Sequence, residues 1–142
     1  VKEDPTENNI RKILNFGHTI GHAIEGYSLY NDANPLLHGE AIAIGMICEA
    51  WLSYKFTGLS EESLNDITNT FLSKYPQYVY SAELYDSFLE LMKNDKKNED
   101  NKIGFVLLKE IGDCTYNVYI DEQDIKSALD YYIEAAQLYY KL

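Results

Sequence analysis

The sequence predicts a mainly α-helical domain, a helical bundle with one small β-hairpin, as a single domain over residues 1–142. Apolar residues recur at helical spacing in most segments. The stretch AIAIGMICEAWL is apolar almost all round, which is typical of a buried central helix. Only one pair of short apolar runs is typical of strands. Because 46% of the 142 residues are hydrophobic, the chain can enclose one sizeable core.

The first half of the chain is predicted to hold two helices. Residues 4–7 (DPTE) are typical of a helix start, and the first helix is expected from there to about Glu25. Residues 26–35 (GYSLYNDANP) are rich in turn formers and predict a loop. The second helix is expected over residues 36–56, with Gly58 just beyond its end.

The second half is predicted to hold three further helices and the hairpin. Serine, aspartate and glutamate residues favour helix starts, so helices are expected over residues 60–74, 81–92 and 121–140, capped by their first residues. The charged segment NDKKNEDNK predicts a loop after the fourth helix. The apolar runs at residues 103–108 and 116–120 predict the two strands of the hairpin.

The charge balance limits the classes of partner. The chain has 23 acidic and 12 basic residues and a formal net charge of −11. Nucleic acids and anionic membranes bind basic surfaces, so neither is expected as a partner. A small anionic substrate remains compatible, because it needs only a local basic cluster.

Other sequence features indicate the compartment and the extent of the protein. No apolar run approaches the ~20 residues of a membrane span, and there is no signal peptide. Cys48 and Cys114 lack the spacing of a redox or metal motif, which predicts free thiols in a reducing compartment, the cytoplasm. The chain begins at Val1, inside a helix lead-in, and is expected to be a piece of a longer protein.

A polar stripe in the first predicted helix marks a candidate site. Arg11, Asn15, His18 and His22 follow one another at intervals of four, three and four residues, which would place them on one helical face. The opposite face carries core residues, namely Ile13, Phe16 and Ile20. Such a helix resembles the wall of an active site.

The HxxxH spacing allows two interpretations. Two imidazoles four residues apart on a helix can reach one metal ion. A zinc peptidase is disfavoured, because Thr19 stands where that motif needs glutamate. The alternative is that both histidines are satisfied by ordinary hydrogen bonds. Gly17 and Gly21 beside the stripe each cost ~1 kcal/mol relative to alanine in a helix, which indicates close approach of either another helix or a ligand.

Residues further along the chain carry weaker signals. His38 begins the second predicted helix and, alone, is compatible with an ordinary loop histidine. Glu40 fits stabilisation of the helix N-terminus better than a role as partner of His38. Lys96 and Lys97 are by default solvated charges, although a loop after a helix can hold a substrate anion.

The ordered set of motifs resembles the 3-dehydroquinate synthase family. The resemblance rests on LNFGHTIGHAIE followed by LLHGEAIAIGM, with DPTENNIR upstream and MKNDKK and FVLLKEIG downstream, and it covers residues 4–48 and 92–112. It implies the helical C-terminal domain of a two-domain enzyme. The absent N-terminal α/β domain would bind NAD, and the full-length enzyme would be a homodimer.

The resemblance also implies roles for single residues. His18 and His38 would be ligands of zinc, or of another divalent ion such as cobalt, with a third ligand, a glutamate, upstream of this chain. His22 would be the catalytic group that handles protons. The anionic sugar-phosphate substrate would be bound by Arg11, by Asn15 and by Lys96 or Lys97.

The implied reaction converts a seven-carbon sugar acid phosphate into 3-dehydroquinate. It proceeds by NAD-dependent oxidation, phosphate elimination, reduction and an intramolecular aldol step in the shikimate pathway, and this chain alone would be inactive. One alternative is another sugar-phosphate cyclase, or a metal-dependent alcohol or glycerol dehydrogenase, of the same superfamily. A second alternative is a helical domain whose metal serves only structure or partner binding.

Overall fold

A computed structural model describes residues 16–96 and 102–141. The helices are α1 (His18–Asn31), α2 (His38–Phe56), α3 (Glu61–Lys74), α4 (Tyr85–Lys96) and α5 (Glu122–Lys141). A 3-10 turn (Ala82–Leu84) leads into α4, and the strands are β1 (Ile103–Glu110) and β2 (Asp113–Ile120). The prediction of a mainly helical domain with one hairpin is confirmed.

Helix α2 is the central helix of the bundle, as its apolar sequence predicts. It packs against α1, α3, α5 and β1. Its N-terminus is closed by Glu40, whose Oε1 accepts a hydrogen bond of 2.8 Å from the backbone N–H of Leu37. The interpretation of Glu40 as a stabiliser of its own helix is therefore confirmed.

Helix α1 differs from the prediction at both ends. Gly17 has φ 86°, a left-handed conformation, and α1 begins only at the next residue. The prediction of one helical register running from Arg11 to His22 is therefore wrong at Gly17, and residues 1–15 lie outside the described part. At its other end α1 runs on to Asn31, through six residues predicted as loop.

Tertiary contacts explain why α1 continues through a turn-rich sequence. Ser28 is fully buried, and its hydroxyl donates to Asp32 Oδ2 at 2.7 Å and accepts from Leu36 N–H at 2.9 Å. The Tyr27 ring packs edge-to-face on Phe88 of α4, with ring centroids 5.4 Å apart. The burial of Ser28 and the packing of Tyr27 on Phe88 outweigh the local preference for a turn.

The predicted caps hold for two of the three later helices. Ser60 caps α3 by accepting from Ser63 N–H at 3.1 Å, and Asp121 caps α5 by accepting from Asp124 N–H at 3.0 Å. The prediction that Ser81 caps α4 is wrong, because its side chain makes no capping hydrogen bond. The 3-10 turn precedes α4 instead, and α4 extends beyond the predicted end at residue 92.

The hairpin pairs β1 and β2 antiparallel, with Ile103 opposite Ile120. The two strands are joined through Ile111 and Gly112, and Gly112 has φ 93°, as a tight hairpin turn requires. Four residues of β1 are buried, namely Ile103, Phe105, Leu107 and Leu108. Thr19 of α1 donates to Gly104 O at 3.2 Å, so the hairpin also supports the helix that carries two histidines.

One apolar core joins all five helices and the hairpin. Its fully buried members include Ile24, Ile47, Phe88, Ile103 and Leu129. Within residues 16–96 and 102–141, none of the helices is both long enough and apolar enough to cross a membrane.

Candidate metal centre

Helices α1 and α2 cross closely, and this crossing builds the candidate site. A Cβ atom on Gly45 of α2 would lie 2.6 Å from the backbone N of Gly21 and 2.8 Å from its Cα. A Cβ on Gly21 would in turn lie 3.1 Å from Ile42 Cα. Of the two interpretations of the glycine pair in α1, a tight helix–helix crossing is the one observed. It sets the start of α2 beside the second turn of α1.

All three histidines converge at this crossing. The ring centroids of His18 and His22 lie 4.9 Å apart, and those rings lie 5.9 Å and 6.0 Å from the ring of His38. His18 is half-buried, whereas His22 and His38 are exposed. The fold therefore brings His38 close to His18, which lies 20 positions earlier in the sequence.

The hydrogen bond of His18 fixes which nitrogen is open to a ligand. His18 Nδ1 lies 3.2 Å from the carbonyl oxygen of Phe16. A carbonyl can only accept, so Nδ1 carries the hydrogen and donates it. In the neutral ring the lone pair is then on Nε2, which is the arrangement a metal ligand needs.

His38 is oriented by a carboxylate from α1. Its Nδ1 lies 3.1 Å and 3.2 Å from the two carboxylate oxygens of Glu25. The side chains of His38 and Glu25 are 59% and 31% exposed, so both face a solvent-accessible site. A histidine that donates Nδ1–H to a carboxylate presents Nε2 as a more basic metal ligand.

A second grouping of ligand atoms overlaps the three histidines. One ligand atom each of His22, Glu25 and His38 can be chosen so that all lie within 4.8 Å of one another. Two nitrogens and one carboxylate oxygen are a donor set suited to zinc and related divalent ions. His18 is not a member of this group, although its ring centroid lies 4.9 Å from that of His22 and 5.9 Å from that of His38.

The structure accounts for only part of the predicted site. It brings together the residues predicted for metal and proton chemistry, His18, His22 and His38. Arg11, Asn15 and Lys97 lie outside the described residues, so their substrate-binding roles stay predictions. The prediction of a loop at Lys96 is wrong, because its backbone belongs to the last turn of α4; its side chain is not described.

Sequence reasoning missed two carboxylates beside the histidines. Glu25 follows His22 by three residues on the same helical face, and this spacing could have revealed it. Glu49 is an acidic residue in the otherwise apolar stretch of α2 and is fully buried. Its isolation among apolar residues was a signal that it has a specific partner.

Glu49 binds the N-terminus of α1. Its Oε1 accepts from Gly17 N–H and its Oε2 accepts from Ile20 N–H, each at 2.8 Å. These are among the backbone donors that a helix start leaves without intrahelical acceptors. A carboxylate there is also favoured by the helix dipole.

The chain matches a family model and many named enzymes. The model described as 3-dehydroquinate synthase C-terminal matches residues 1–98. The 3-dehydroquinate synthase of Parabacteroides distasonis is 44% identical over 135 residues, which are 95% of this chain and 38% of that enzyme. The enzyme of the same name from Methylococcus capsulatus is 39% identical, over 93% of this chain and 36% of its own length. The chain thus spans little more than a third of these curated relatives.

Solved structures show the same fold. A 2-deoxy-scyllo-inosose synthase, crystallised with carbaglucose-6-phosphate, NAD+ and Co2+, superposes with a TM-score of 0.65 at 30% identity, covering 82% of this chain and 32% of that chain. ValA, a 2-epi-5-epi-valiolone synthase from Streptomyces hygroscopicus with NAD+ and Zn2+ bound, has the same TM-score at 24% identity, covering 90% of this chain and 34% of its own. The second likeness concerns the fold alone.

Proposed function

This chain belongs to the 3-dehydroquinate synthase family, and on that premise we propose that it is the metal- and substrate-binding domain of a 3-dehydroquinate synthase. The single observation that carries the proposal is the convergence of His18, His22 and His38 at the crossing of α1 and α2. The remaining part of the enzyme, an N-terminal α/β domain, would bind NAD and supply a third metal ligand.

We assign zinc, or another divalent ion such as cobalt, to His18 and His38. The support is that each Nδ1 is engaged with an acceptor, Phe16 O or the Glu25 carboxylate, which leaves Nε2 for the ion. A structural neighbour at 30% identity, a 2-deoxy-scyllo-inosose synthase, was solved with Co2+. In the competing set, His22 and Glu25 would join His38 as direct ligands.

The residues of this chain then divide the chemistry among themselves. When bound, the metal supplies a Lewis acid for the substrate hydroxyl that is oxidised. His22, exposed beside His18, takes up or returns a proton at the substrate. Arg11, Asn15 and Lys96 or Lys97 bind the carboxylate and phosphate groups and orient the substrate for NAD.

Another sugar-phosphate cyclase is the second candidate, because a structural neighbour with the same fold is a 2-deoxy-scyllo-inosose synthase. The names of the curated relatives favour the dehydroquinate reaction. A purely structural metal is disfavoured, because such sites are closed by four protein ligands, whereas His22 and His38 are exposed.

The remaining assignments follow from the resemblance and from the thiols. Cys48 and Cys114 are free, which supports a reducing compartment, and we place the enzyme in the cytoplasm. We expect the full-length enzyme to be a homodimer, with a small anionic sugar phosphate as its ligand.

An activity assay tests the proposal. The full-length enzyme, supplied with NAD and zinc, should release phosphate from the seven-carbon sugar acid phosphate and form 3-dehydroquinate. The 142-residue chain, assayed in parallel, should give no turnover. Turnover of a hexose phosphate in place of the seven-carbon substrate would favour the second candidate. Turnover by the isolated chain would contradict the need for a separate NAD domain.

A further inference from the structure

We propose that Glu49 is a positioning residue of the metal centre, which fixes His18 and His22 of α1 relative to His38 of α2. This inference rests on the proposed function, since the placement of the imidazoles matters for catalysis only if they bind the ion and the substrate. Glu49 acts on the histidines through the backbone of α1, because its carboxylate accepts hydrogen bonds from the N–H groups of Gly17 and Ile20.

Glu49 binds the backbone on both sides of the first histidine, His18. The two amides that its carboxylate accepts from, Gly17 and Ile20, lie on either side of His18 in sequence, and both bonds are 2.8 Å long. Charge-assisted hydrogen bonds of this kind are shorter and stronger than neutral ones. Because each carboxylate oxygen accepts one of these hydrogen bonds, Glu49 fixes the orientation of the first turn of α1 relative to α2 as well as its distance from α2.

Helix α1 lacks the local means of capping that other helices in the chain possess. Gly17, at its N-cap position, has no side chain, and its first turn contains no acidic residue. Helices α3 and α5 are capped instead by their own neighbours, Ser60 and Asp121. The cap of α1 comes from a residue 32 positions away from Gly17 and therefore couples α1 to α2.

The same two helices are tied at their other ends by Glu25. Glu25 of α1 binds His38, the first residue of α2, whereas Glu49 of α2 binds the start of α1. Gly21 and Gly45 lie between these two contacts, and their backbones pack so closely that one helix cannot shift along the other. Two reciprocal carboxylate contacts thus fix the register of the antiparallel pair, and with it the separation of the imidazoles.

The substitution Glu49→Gln tests this role with little change in size. The carbonyl oxygen of glutamine can accept one of the two hydrogen bonds. Its NH2 group would face the other backbone N–H, and two donors cannot form a hydrogen bond. We expect zinc affinity of the full-length enzyme to fall about tenfold, the lower end of the effect of groups that orient metal ligands. The visible absorption of the Co2+-loaded enzyme should change, because the ligand geometry changes. Glu49→Ala should show a larger effect of the same kind.

Ser53→Ala is the matched control for lost stability. Ser53 is also fully buried in α2, and its hydroxyl donates to Glu49 O and accepts from Leu108 N–H, partners that belong to α2 and β1. This variant should melt at a lower temperature but keep the wild-type Co2+ spectrum and zinc affinity. Comparison at a temperature well below both melting points separates positioning from stability.

The outcomes distinguish failure of the proposed function from failure of the positioning role of Glu49. Failure of the wild-type enzyme to bind zinc or Co2+ would refute the proposed function, and this inference with it. Wild-type affinity and an unchanged Co2+ spectrum in Glu49→Gln would refute this inference alone. Changes in Ser53→Ala as large as those in Glu49→Gln would likewise refute it, since they would show that any loss of stability disturbs the site.

Discussion

Gly45 lies against Gly21 where α2 crosses α1, and neither residue has room for a side chain. A Cβ on Gly45 would lie 2.6 Å from Gly21 N, closer than real Cβ contacts come. Backbone atoms in a helix cannot move away from such a clash, whereas the end of a flexible side chain can change its rotamer. The distance between the helix with two histidines and the helix with the third is therefore set by this glycine contact.

The substitution Gly45→Ala should destabilise the domain strongly. Overpacking against backbone costs more than ordinary overpacking, so we expect a loss of at least about 3 kcal/mol in the free energy of unfolding. Gly26→Ala in α1 is the control, because its Cβ would meet only Leu91 Cδ1 at 3.7 Å. That change should be neutral or stabilise by up to ~1 kcal/mol. Urea unfolding of the two variants decides, and equal midpoints would contradict the packing argument.

The sequence predicted the elements whose signals are local. The apolar run of α2 and the caps at Ser60 and Asp121 depend on neighbouring residues, and the structure confirms them. The end of α1 could not be predicted, because it depends on contacts with residues far along the chain: Tyr27 packs on Phe88, and Asp32 accepts a hydrogen bond from the Tyr78 hydroxyl. The left-handed Gly17 likewise stops the helix where spacing alone predicted that it continues.

The histidines of the candidate site were predicted from the sequence, but the carboxylates that orient them were not. Spacing suggested that His18 and His22 share a face, and the family resemblance added His38. The spacing of Glu25 from His22 and the isolation of Glu49 among apolar residues marked both carboxylates, but the groups that they bind emerged only from the distances between elements. The substrate-binding roles predicted upstream of Gly17 stay untested.

The three histidines should respond differently to removal. In the full-length enzyme, His18→Ala and His38→Ala should each abolish zinc retention, because each removes a ligand. His22→Ala should keep zinc and lower turnover by ~10²–10⁴-fold, as loss of a general acid–base group does. Elemental analysis of the purified variants measures the zinc. Loss of zinc in His22→Ala with retention in His18→Ala would instead support the set of His22, Glu25 and His38.

Removal of Glu25 should weaken the metal site without emptying it. The carboxylate orients His38 through Nδ1, and loss of such a partner typically lowers metal affinity 10- to 100-fold. Because both side chains are partly exposed, the stability of Glu25→Gln should change by less than about 1 kcal/mol. Competition with a chelator gives the affinity. Complete loss of zinc would show that Glu25 is itself a ligand.

Arg11 should act in substrate recognition. A guanidinium binds a carboxylate or phosphate through two parallel hydrogen bonds, which lysine cannot reproduce. Both Arg11→Ala and Arg11→Lys should therefore raise KM or lower turnover in the full-length enzyme while zinc content and melting temperature stay unchanged. Wild-type kinetics in both variants would remove Arg11 from the site, and a much lower melting temperature would give it a structural role.

A cluster of buried tyrosines should make the domain sensitive to alkali. Tyr80 stacks on Tyr132 with ring centroids 5.8 Å apart and lies 6.1 Å from Tyr85. Burial, foremost, raises the pKa of Tyr132 from 10.0 to about 12, and burial is also the main reason that the pKa values of Tyr80 and Tyr85 are raised. The folded state therefore holds these protons at pH values where the unfolded chain has lost them.

Stability should then fall as the pH rises from 10 towards 12, since in that range the native state binds more protons than the unfolded state. The contribution of Tyr132, on the order of 2 kcal/mol, is complete below pH 10 and is lost as the pH passes its folded pKa. Tyr132→Phe loses the hydrogen bond from Tyr78 N–H, at a cost of about 1 kcal/mol at neutral pH, but removes one ionisable group. The free energy of unfolding of Tyr132→Phe should therefore fall less steeply between pH 10 and 12 than that of the wild type. Circular dichroism measures the unfolding, and tyrosinate absorbance measures the ionisation. Identical slopes of stability against pH would show that Tyr132 ionises without linkage to unfolding.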